Sequence, residues 1–355
     1  MKIVNIILTS QNGGAEQVFI DYSAVLKKLG HDVLAIVKSD APYADSVSEF
    51  GIKVKKIKNS FGHHDFFAVK KIQKILEEFN ADAVFAHVGR SMILTRKAIK
   101  KITNKKILLV AINHSMNVKR SIGSDLILSV NREIFYKTVQ LGQPENKSFV
   151  IPNAIDLTGA ITLAPKINLQ KKATIVIGVI GRLDKSKAFR YAVKSVAQLS
   201  KISDKNFILK IAGSGPKEPY LRELAKELNI ENKVEFLGWI KNKKEFFSSI
   251  DILCVPSQRE TFGIVLLEAM KFRAPIISTD ADGPKEILRN GIDGLLINLE
   301  PLDSVPDRIT NAVLKMIDEP ELVNSMIENS FVRLKEKFSY EALEARMKEV
   351  VGSVV

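Results

Sequence analysis

The 355-residue sequence predicts an α/β protein built from two consecutive Rossmann-like domains, each a parallel sheet covered by helices. Three observations lead there. The chain is too long for one ordinary domain, and two domains of roughly 150–180 residues are the natural division. Short runs such as Thr174–Ile180 are apolar almost throughout, the mark of strands buried on both faces, as in parallel sheets. These runs alternate with helical segments of about 10–15 residues, the βα rhythm of doubly wound folds.

In the first half, Lys2–Leu8 reads as a strand, followed by a helix from Gly14 to Leu29 that Gly30 ends. Strands are expected at Asp32–Val37 and Ile52–Ile57. Asp65–Phe79 is amphipathic, and Phe67, Ile72, Ile75, Leu76 and Phe79 are assigned to its apolar face. Strands Asp82–Ala86 and Lys106–Ile112 flank a helix at Arg90–Lys101; Asp125–Val130 and Ser148–Ile151 complete the half. The first domain is taken as 1–158, with a polar linker at 159–172. A second alternation over 173–335 contains strands Thr174–Ile180, Phe207–Ile211, Lys233–Leu237, Asp251–Val255, Pro275–Ser278 and Gly294–Ile297. Helices are expected at 305–318, 320–336 and 339–351.

Composition narrows the function classes. A single cysteine, Cys254, rules out an intrachain disulfide and suits a reducing compartment. No run approaches the roughly 18 apolar residues of a membrane span, and the N-terminal apolar run is too short for a signal peptide. A cytoplasmic location is expected. The net charge of +13 is uneven: residues 1–150 hold 23 Lys and Arg against 13 Asp and Glu, a net +10. A basic first half favours an anionic partner such as a membrane surface, which would make the protein peripheral on the inner face. A merely solvated surface is the alternative. A nucleic-acid partner is not expected, because no aromatic platform or reading helix accompanies the charge.

The candidate chemistry lies just after strands, where open α/β sheets bind ligands. Gly13 and Gly14 follow the first strand and open a helix, whose start offers N–H groups and a positive dipole end to an anion. An ordinary strand-to-helix turn is the competing reading. Gly181-Arg182-Leu183-Asp184-Lys185-Ser186-Lys187 follows Thr174–Ile180, and Arg182 and Lys187 are candidates to neutralise a diphosphate. In Glu260-Thr261-Phe262-Gly263-Ile264-Val265-Leu266-Leu267-Glu268, the two carboxylates can accept from sugar and ribose hydroxyls. The N–H groups of Phe262, Gly263 and Ile264 at the helix start can meet a phosphate. Glu268 sits in an apolar stretch and, if buried, needs a partner. Gly213, in Gly213-Ser214-Gly215-Pro216, and Ile240, which follows Phe236-Leu237-Gly238-Trp239, complete the set; backbone there can border a nucleobase. Trp239 is assigned to packing. His114 follows Lys106–Ile112 and faces the expected cleft, as a ligand contact or a structural histidine; His87, also at a strand end, shares that ambiguity. Neither His63-His64 nor Asp280-Ala281-Asp282 has the partners of a metal site.

Taken in order, these segments resemble glycosyltransferase family 4, retaining enzymes of GT-B architecture with two Rossmann-like domains whose sheets face a central cleft. The match runs through Gly13-Gly14-Ala15-Glu16, Val150-Ile151-Pro152-Asn153, Gly181-Arg182-Leu183, Gly213-Ser214-Gly215-Pro216, Glu260-Thr261-Phe262-Gly263, Glu268-Ala269-Met270 and Gly283-Pro284-Lys285-Glu286-Ile287. The resemblance implies that Arg182 and Lys187 bind a donor diphosphate, that Glu268 binds the ribose, and that Glu260 is catalytic, contacting the donor sugar and helping at the transferring centre. It places His114 near the reacting carbon and returns the 336–355 helix to the first domain. It implies transfer from a nucleotide-sugar, a UDP- or GDP-sugar foremost, to a glycan or lipid-linked acceptor, as in lipopolysaccharide synthesis, with no cofactor or metal. A GT-B sugar-nucleotide epimerase and a non-catalytic sugar-nucleotide-binding module are the alternatives. Ala188 departs from the family, which usually has glycine there.

Overall fold

The computed structural model describes residues 1–11, 13–162 and 166–352. Asn12 of the glycine turn, residues 163–165 of the expected linker and the last three residues of the C-terminal segment lie outside the described residues. The chain divides into two units, one comprising Met1–Ile155 with the segment from Ser339 onward, the other Asp156–Phe338.

The first unit contains β1 (Lys2–Ile7), α1 (Gly14–Lys28), β2 (Asp32–Lys38), α2 (Ala44–Ser48), β3 (Lys53–Ile57), α3 (Phe66–Phe79), β4 (Ala83–His87), α4 (Val88–Ile99), β5 (Leu108–Asn113), β6 (Leu126–Ser129), α5 (Arg132–Gln140) and β7 (Ser148–Val150). Its seven strands form one parallel sheet in the order β3-β2-β1-β4-β5-β6-β7. One face is sealed by α3 and α4, which bury Ile72, Leu76 and Leu94 against Ile6, Ile36 and Val84. Asn131 caps α5, its side chain accepting from the Ile134 N–H at 2.7 Å.

The second unit contains β8 (Thr174–Ile180), α6 (Arg190–Ile202), β9 (Asn206–Ala212), α7 (Glu218–Glu227), β10 (Val234–Gly238), α8 (Lys243–Ser248), β11 (Ile252–Val255), α9 (Ile264–Lys271), β12 (Ile276–Thr279), α10 (Asp282–Ile287), β13 (Leu295–Ile297), α11 (Val305–Asp318) and α12 (Pro320–Phe338). Its sheet is parallel, in the order β10-β9-β8-β11-β12-β13. The core is built on Ile175, Ile177 and Val179 of β8, covered by Val193 and Val196 of α6. Leu169, inside the expected linker, is buried in that core.

The last helix, α13 (Tyr340–Gly352), belongs to the first unit and packs on α1. Tyr340 donates to Asp21 at 2.5 Å, and Lys28 pairs with Glu344 at 2.5 Å. Phe67 departs from expectation: it is 74% exposed, with Phe66 beside it at 58%. Counting back from buried Ile72 by three or four residues reaches Val69 and Ala68, both buried, and leaves Phe67 off the stripe.

Candidate functional site

In the second unit, strands leave β8 in both directions, β9 and β10 to one side and β11, β12 and β13 to the other. β8 and β11 are therefore the topological switch point, beyond whose carboxyl ends a doubly wound sheet opens a crevice. The loops that flank it carry Arg182 and Lys187 on one side and Glu260 on the other.

Asp184 shapes the first loop. Its Oδ1 accepts from the N–H groups of Ser186 at 2.9 Å and Lys187 at 3.1 Å, and from the Ser186 hydroxyl at 2.6 Å. Its Oδ2 accepts from Arg182 Nε at 2.8 Å. Burial works to raise the Asp184 pKa, but the bonds from Ser186, Lys187 and Arg182 hold it below the usual carboxylate value. Ala188 follows with φ +50° and is buried, so a left-handed position that favours glycine carries a methyl group.

The second loop is tied to the first. The Gln258 N–H donates to the Ser186 carbonyl at 2.8 Å, and the Gln258 side chain donates to the Tyr191 hydroxyl at 2.7 Å. Lys187 and Glu260 form an ion pair. Gly263, at φ +98°, turns the chain into α9. Among the described residues, no hydrogen-bond partner is found for the N–H groups of Phe262, Gly263 and Ile264 at that helix start. Glu268 lies in the second turn of α9, and its carboxylate pairs with Lys243 at the start of α8.

Three ion pairs therefore surround the switch point: Arg182–Asp184, Lys187–Glu260 and Lys243–Glu268. In each, the cation is the outer member. The cation side chains are 69%, 24% and 51% exposed and the carboxylates 17%, 13% and 9%. An arriving anion meets the cations first, while a hydroxyl-rich group reaching deeper meets the carboxylates.

Gly213 acts through close packing. A Cβ there would lie 1.9 Å from the Gly181 carbonyl oxygen, and its N–H donates to the Gly238 carbonyl at 2.6 Å. It thus joins the loops after β8, β9 and β10. Ile240, two residues past Gly238, is half-buried. Trp239 is 65% exposed, against the expectation of packing, because Gly238 at φ +62° turns the chain out of the strand just before it.

Gly13, Gly14 and His114 belong to the first unit. Gly14 begins α1, but the Gly13 N–H is already taken by the Glu16 carboxylate at 3.0 Å. His114 follows β5, and its Nε2 lies 3.0 Å from Nδ1 of His87 at the end of β4. The two rings meet end to end in nearly one plane, with centroids 5.1 Å apart and planes 18° apart. His87 is fully buried against Phe19 and Tyr22, and its Nε2 has no partner among the described residues. We assign the shared proton to His87 Nδ1, because the opposite choice would bury an unpaired N–H. His114 then carries its own proton on Nδ1. Burial lowers the His114 pKa to about 4, so the ring is neutral near pH 7. Val88 follows His87 at φ +58°, a strained conformation for a β-branched residue.

The second unit thus brings Arg182, Lys187, Glu260, Phe262, Gly263, Ile264 and Glu268 onto two neighbouring loops and one helix. The sequence reading misses Lys243, and it assigns no role to Asp184 or Gly283, though both lie in the segments it singles out. A buried Glu268 required some partner, and the basic run Lys241-Asn242-Lys243-Lys244 was the available signal. Gly283 donates its N–H to the Glu260 carbonyl at 2.8 Å, and a Cβ there would strike the Phe262 backbone. Cys254 is buried in β11, and burial pushes its thiol up to about 12, which leaves it inert.

Comparison with known proteins places the chain in a family. Residues 161–333 match the family model of glycosyl transferases group 1, and residues 12–158 match that of glycosyltransferase family 4. An uncharacterized glycosyltransferase of Haemophilus influenzae is 28% identical over 324 residues, 90% of each chain. The lipopolysaccharide core biosynthesis glycosyltransferase LpsD of Rhizobium meliloti is 24% identical over 348 residues, 97% of this chain and 96% of its own. Anabaena Alr3699/HepE, solved in complex with UDP-glucose, superposes with a TM-score of 0.84 over 99% of this chain and all of its own, at 19% identity. The galactosyltransferase WaaB of the lipopolysaccharide outer core superposes at 0.79 over the full length of both chains, at 20% identity. With glycosyltransferases as relatives, the epimerase and non-catalytic readings fall away. The chain belongs to the group 1, family 4 glycosyltransferases and is an enzyme of GT-B architecture.

Proposed function

We propose that the protein transfers a sugar, with retention of anomeric configuration, from a nucleoside-diphosphate sugar to a glycan or glycolipid acceptor. The observation that carries this reading is the Lys187–Glu260 pair at the switch point, with Arg182 on one flank and the open start of α9 on the other. A diphosphate would draw Lys187 and Arg182 from their carboxylate partners and take up the N–H groups of Phe262, Gly263 and Ile264. Glu260, released from Lys187, would accept from the sugar hydroxyls, and Glu268 from the ribose. Gly213 and Ile240 border the base end. The cations and the helix start stabilise the charge that develops on the leaving diphosphate, without a metal cofactor. In the first unit, His114 is a substrate contact that offers a neutral N–H donor, and the Gly13-Gly14 turn is a second one.

UDP is the favoured nucleotide, because HepE was solved with UDP and UDP-glucose. The likeness to LpsD and WaaB favours a lipopolysaccharide-type acceptor at the inner face of the cytoplasmic membrane. A panel of UDP-, GDP- and ADP-sugars, scored by thermal shift and by slow donor hydrolysis, tests the reading. A UDP-sugar is expected to stabilise the protein and to be hydrolysed without acceptor. No stabilisation by any donor would overturn it.

A further inference from the structure

Three large aromatic side chains in one short stretch of the first unit are mostly exposed. Phe61 is 67% exposed, Phe66 58% and Phe67 74%. Phe66 and Phe67 meet edge to face with centroids 6.3 Å apart, and contiguous exposed apolar surface on a folded domain marks an interaction site more often than chance. The stretch is held rigid from below by Asp65. Its buried carboxylate accepts from the N–H groups of Ser60 at 2.8 Å, Phe61 at 3.2 Å and Ala68 at 2.9 Å, and from the Asn59 side chain at 3.2 Å. The aromatic rings are therefore presented by a built turn.

The surroundings are cationic. From Lys53 to Lys74 the chain has seven lysines and one acidic residue, the buried Asp65. From Ala83 to Ser124 it has nine Lys and Arg and no Asp or Glu. α4, within that second stretch, packs on α3. Lys101 lies over the Phe66 ring at 4.3 Å, and Lys97 donates to the His63 carbonyl at 3.0 Å. No carboxylate pairs with Lys70, Lys71, Arg90, Lys97, Lys100, Lys101 or Arg120 among the described residues. Burial, and then the nearby charges of Arg120, Arg90, His64 and Lys97, lower the His63 pKa, which places these groups around one patch.

We propose that this face, with Phe61, Phe66 and Phe67 at its tip and the unpaired cations of α3 and α4 around them, docks on an anionic lipid bilayer. Aromatic side chains settle at the headgroup boundary, and flanking lysines and arginines gain from the negative surface potential. A second copy of the chain is a poor occupant, because it would set two strongly positive faces against each other. The inference does not depend on the donor chemistry, since none of these residues belongs to the second unit.

The test is flotation with phosphatidylcholine vesicles, with and without phosphatidylglycerol, at low and high salt. The full chain is expected to float with the anionic vesicles at low salt and to be released by high salt. The triple variant Phe61→Ser, Phe66→Ser, Phe67→Ser is expected to partition at least about tenfold more weakly. It should keep the wild-type melting temperature and donor hydrolysis, since the three rings bury little. Lys97→Glu with Lys101→Glu should weaken binding to anionic vesicles by about tenfold or more. Flotation of the triple variant equal to wild type would overturn the proposal. So would absence of wild-type binding at low salt, or equal retention of wild type and triple variant on soluble polyglutamate without flotation.

Discussion

Substituting alanine for Gly283 should displace Glu260 without touching any charged group. The Gly283 N–H donates to the Glu260 carbonyl at 2.8 Å. A Cβ on Gly283 would sit 2.3 Å from the Phe262 carbonyl oxygen and 2.5 Å from two other Phe262 backbone atoms. Ordinary contact begins near 3.4 Å, so the two backbones must separate by about 1 Å, a displacement that can cost about 10²-fold at a reacting centre. The obstacle is main chain rather than a side-chain tip, so the loop bearing Glu260 must move as a body. Overpacking of this kind costs about 1–3 kcal/mol of stability. Gly283→Ala is expected to lower kcat/KM for sugar transfer about 10–100-fold and the melting temperature by a few degrees. UDP affinity should fall less, because Arg182 and Lys187 are on the other loop. Steady-state kinetics, calorimetric titration and a thermal melt on one preparation separate these effects. Wild-type kcat/KM together with a wild-type melting temperature would show that Gly283 does not hold the Glu260 loop in place.

Other consequences follow from the ion pairs and the histidines. Glu260→Gln should abolish transfer yet bind UDP as tightly as wild type or more so, because Lys187 loses its competing carboxylate; a fully active variant would count against the role of Glu260. Lys243→Met strands the buried Glu268 carboxylate and should cost about 1–2 kcal/mol. The double variant with Glu268→Gln should recover part of that loss; strict additivity in scanning calorimetry would show that the two do not interact. His114 should titrate near 4 by NMR. Its folded pKa lies below the unfolded value of about 6.5, so its contribution is complete above pH 6.5 and is lost as pH falls toward 4. The stability slope in that window should flatten in His114→Gln, and a His114 pKa near 6.5 would contradict this expectation.

The fold was legible wherever burial imposed a pattern. Thr174–Ile180 and 305–318 match the observed elements end to end, because one is buried on both faces and the other has a wide apolar stripe. α2 was missed because five residues are too short to show a period. α5 was missed because only Ile134 and Thr138 are buried along it. The sequence pattern puts Phe67 inside because hydrophobicity alone does not distinguish a core ring from an exposed one. The local parts of the site were legible: glycines at strand ends, two cations on one loop, two carboxylates on one element. The long-range partners were not. Lys243 meets Glu268 across 25 residues, and Gly283 meets Glu260 across a strand and a helix. Such pairings arise only when the sheet brings successive loops to one edge.

On the proposed function, a nucleoside diphosphate is held at the second unit's switch point by cations drawn from their carboxylate partners. Calorimetric titration of the full chain with UDP, GDP and ADP, for wild type and Lys187→Met, tests it most directly. Wild type should bind one of these nucleotides, and the variant should bind it about 10–100-fold more weakly, the worth of one charge-assisted contact of about 1.5–3 kcal/mol. Equal affinity in the two proteins would rule out Lys187 as a diphosphate ligand.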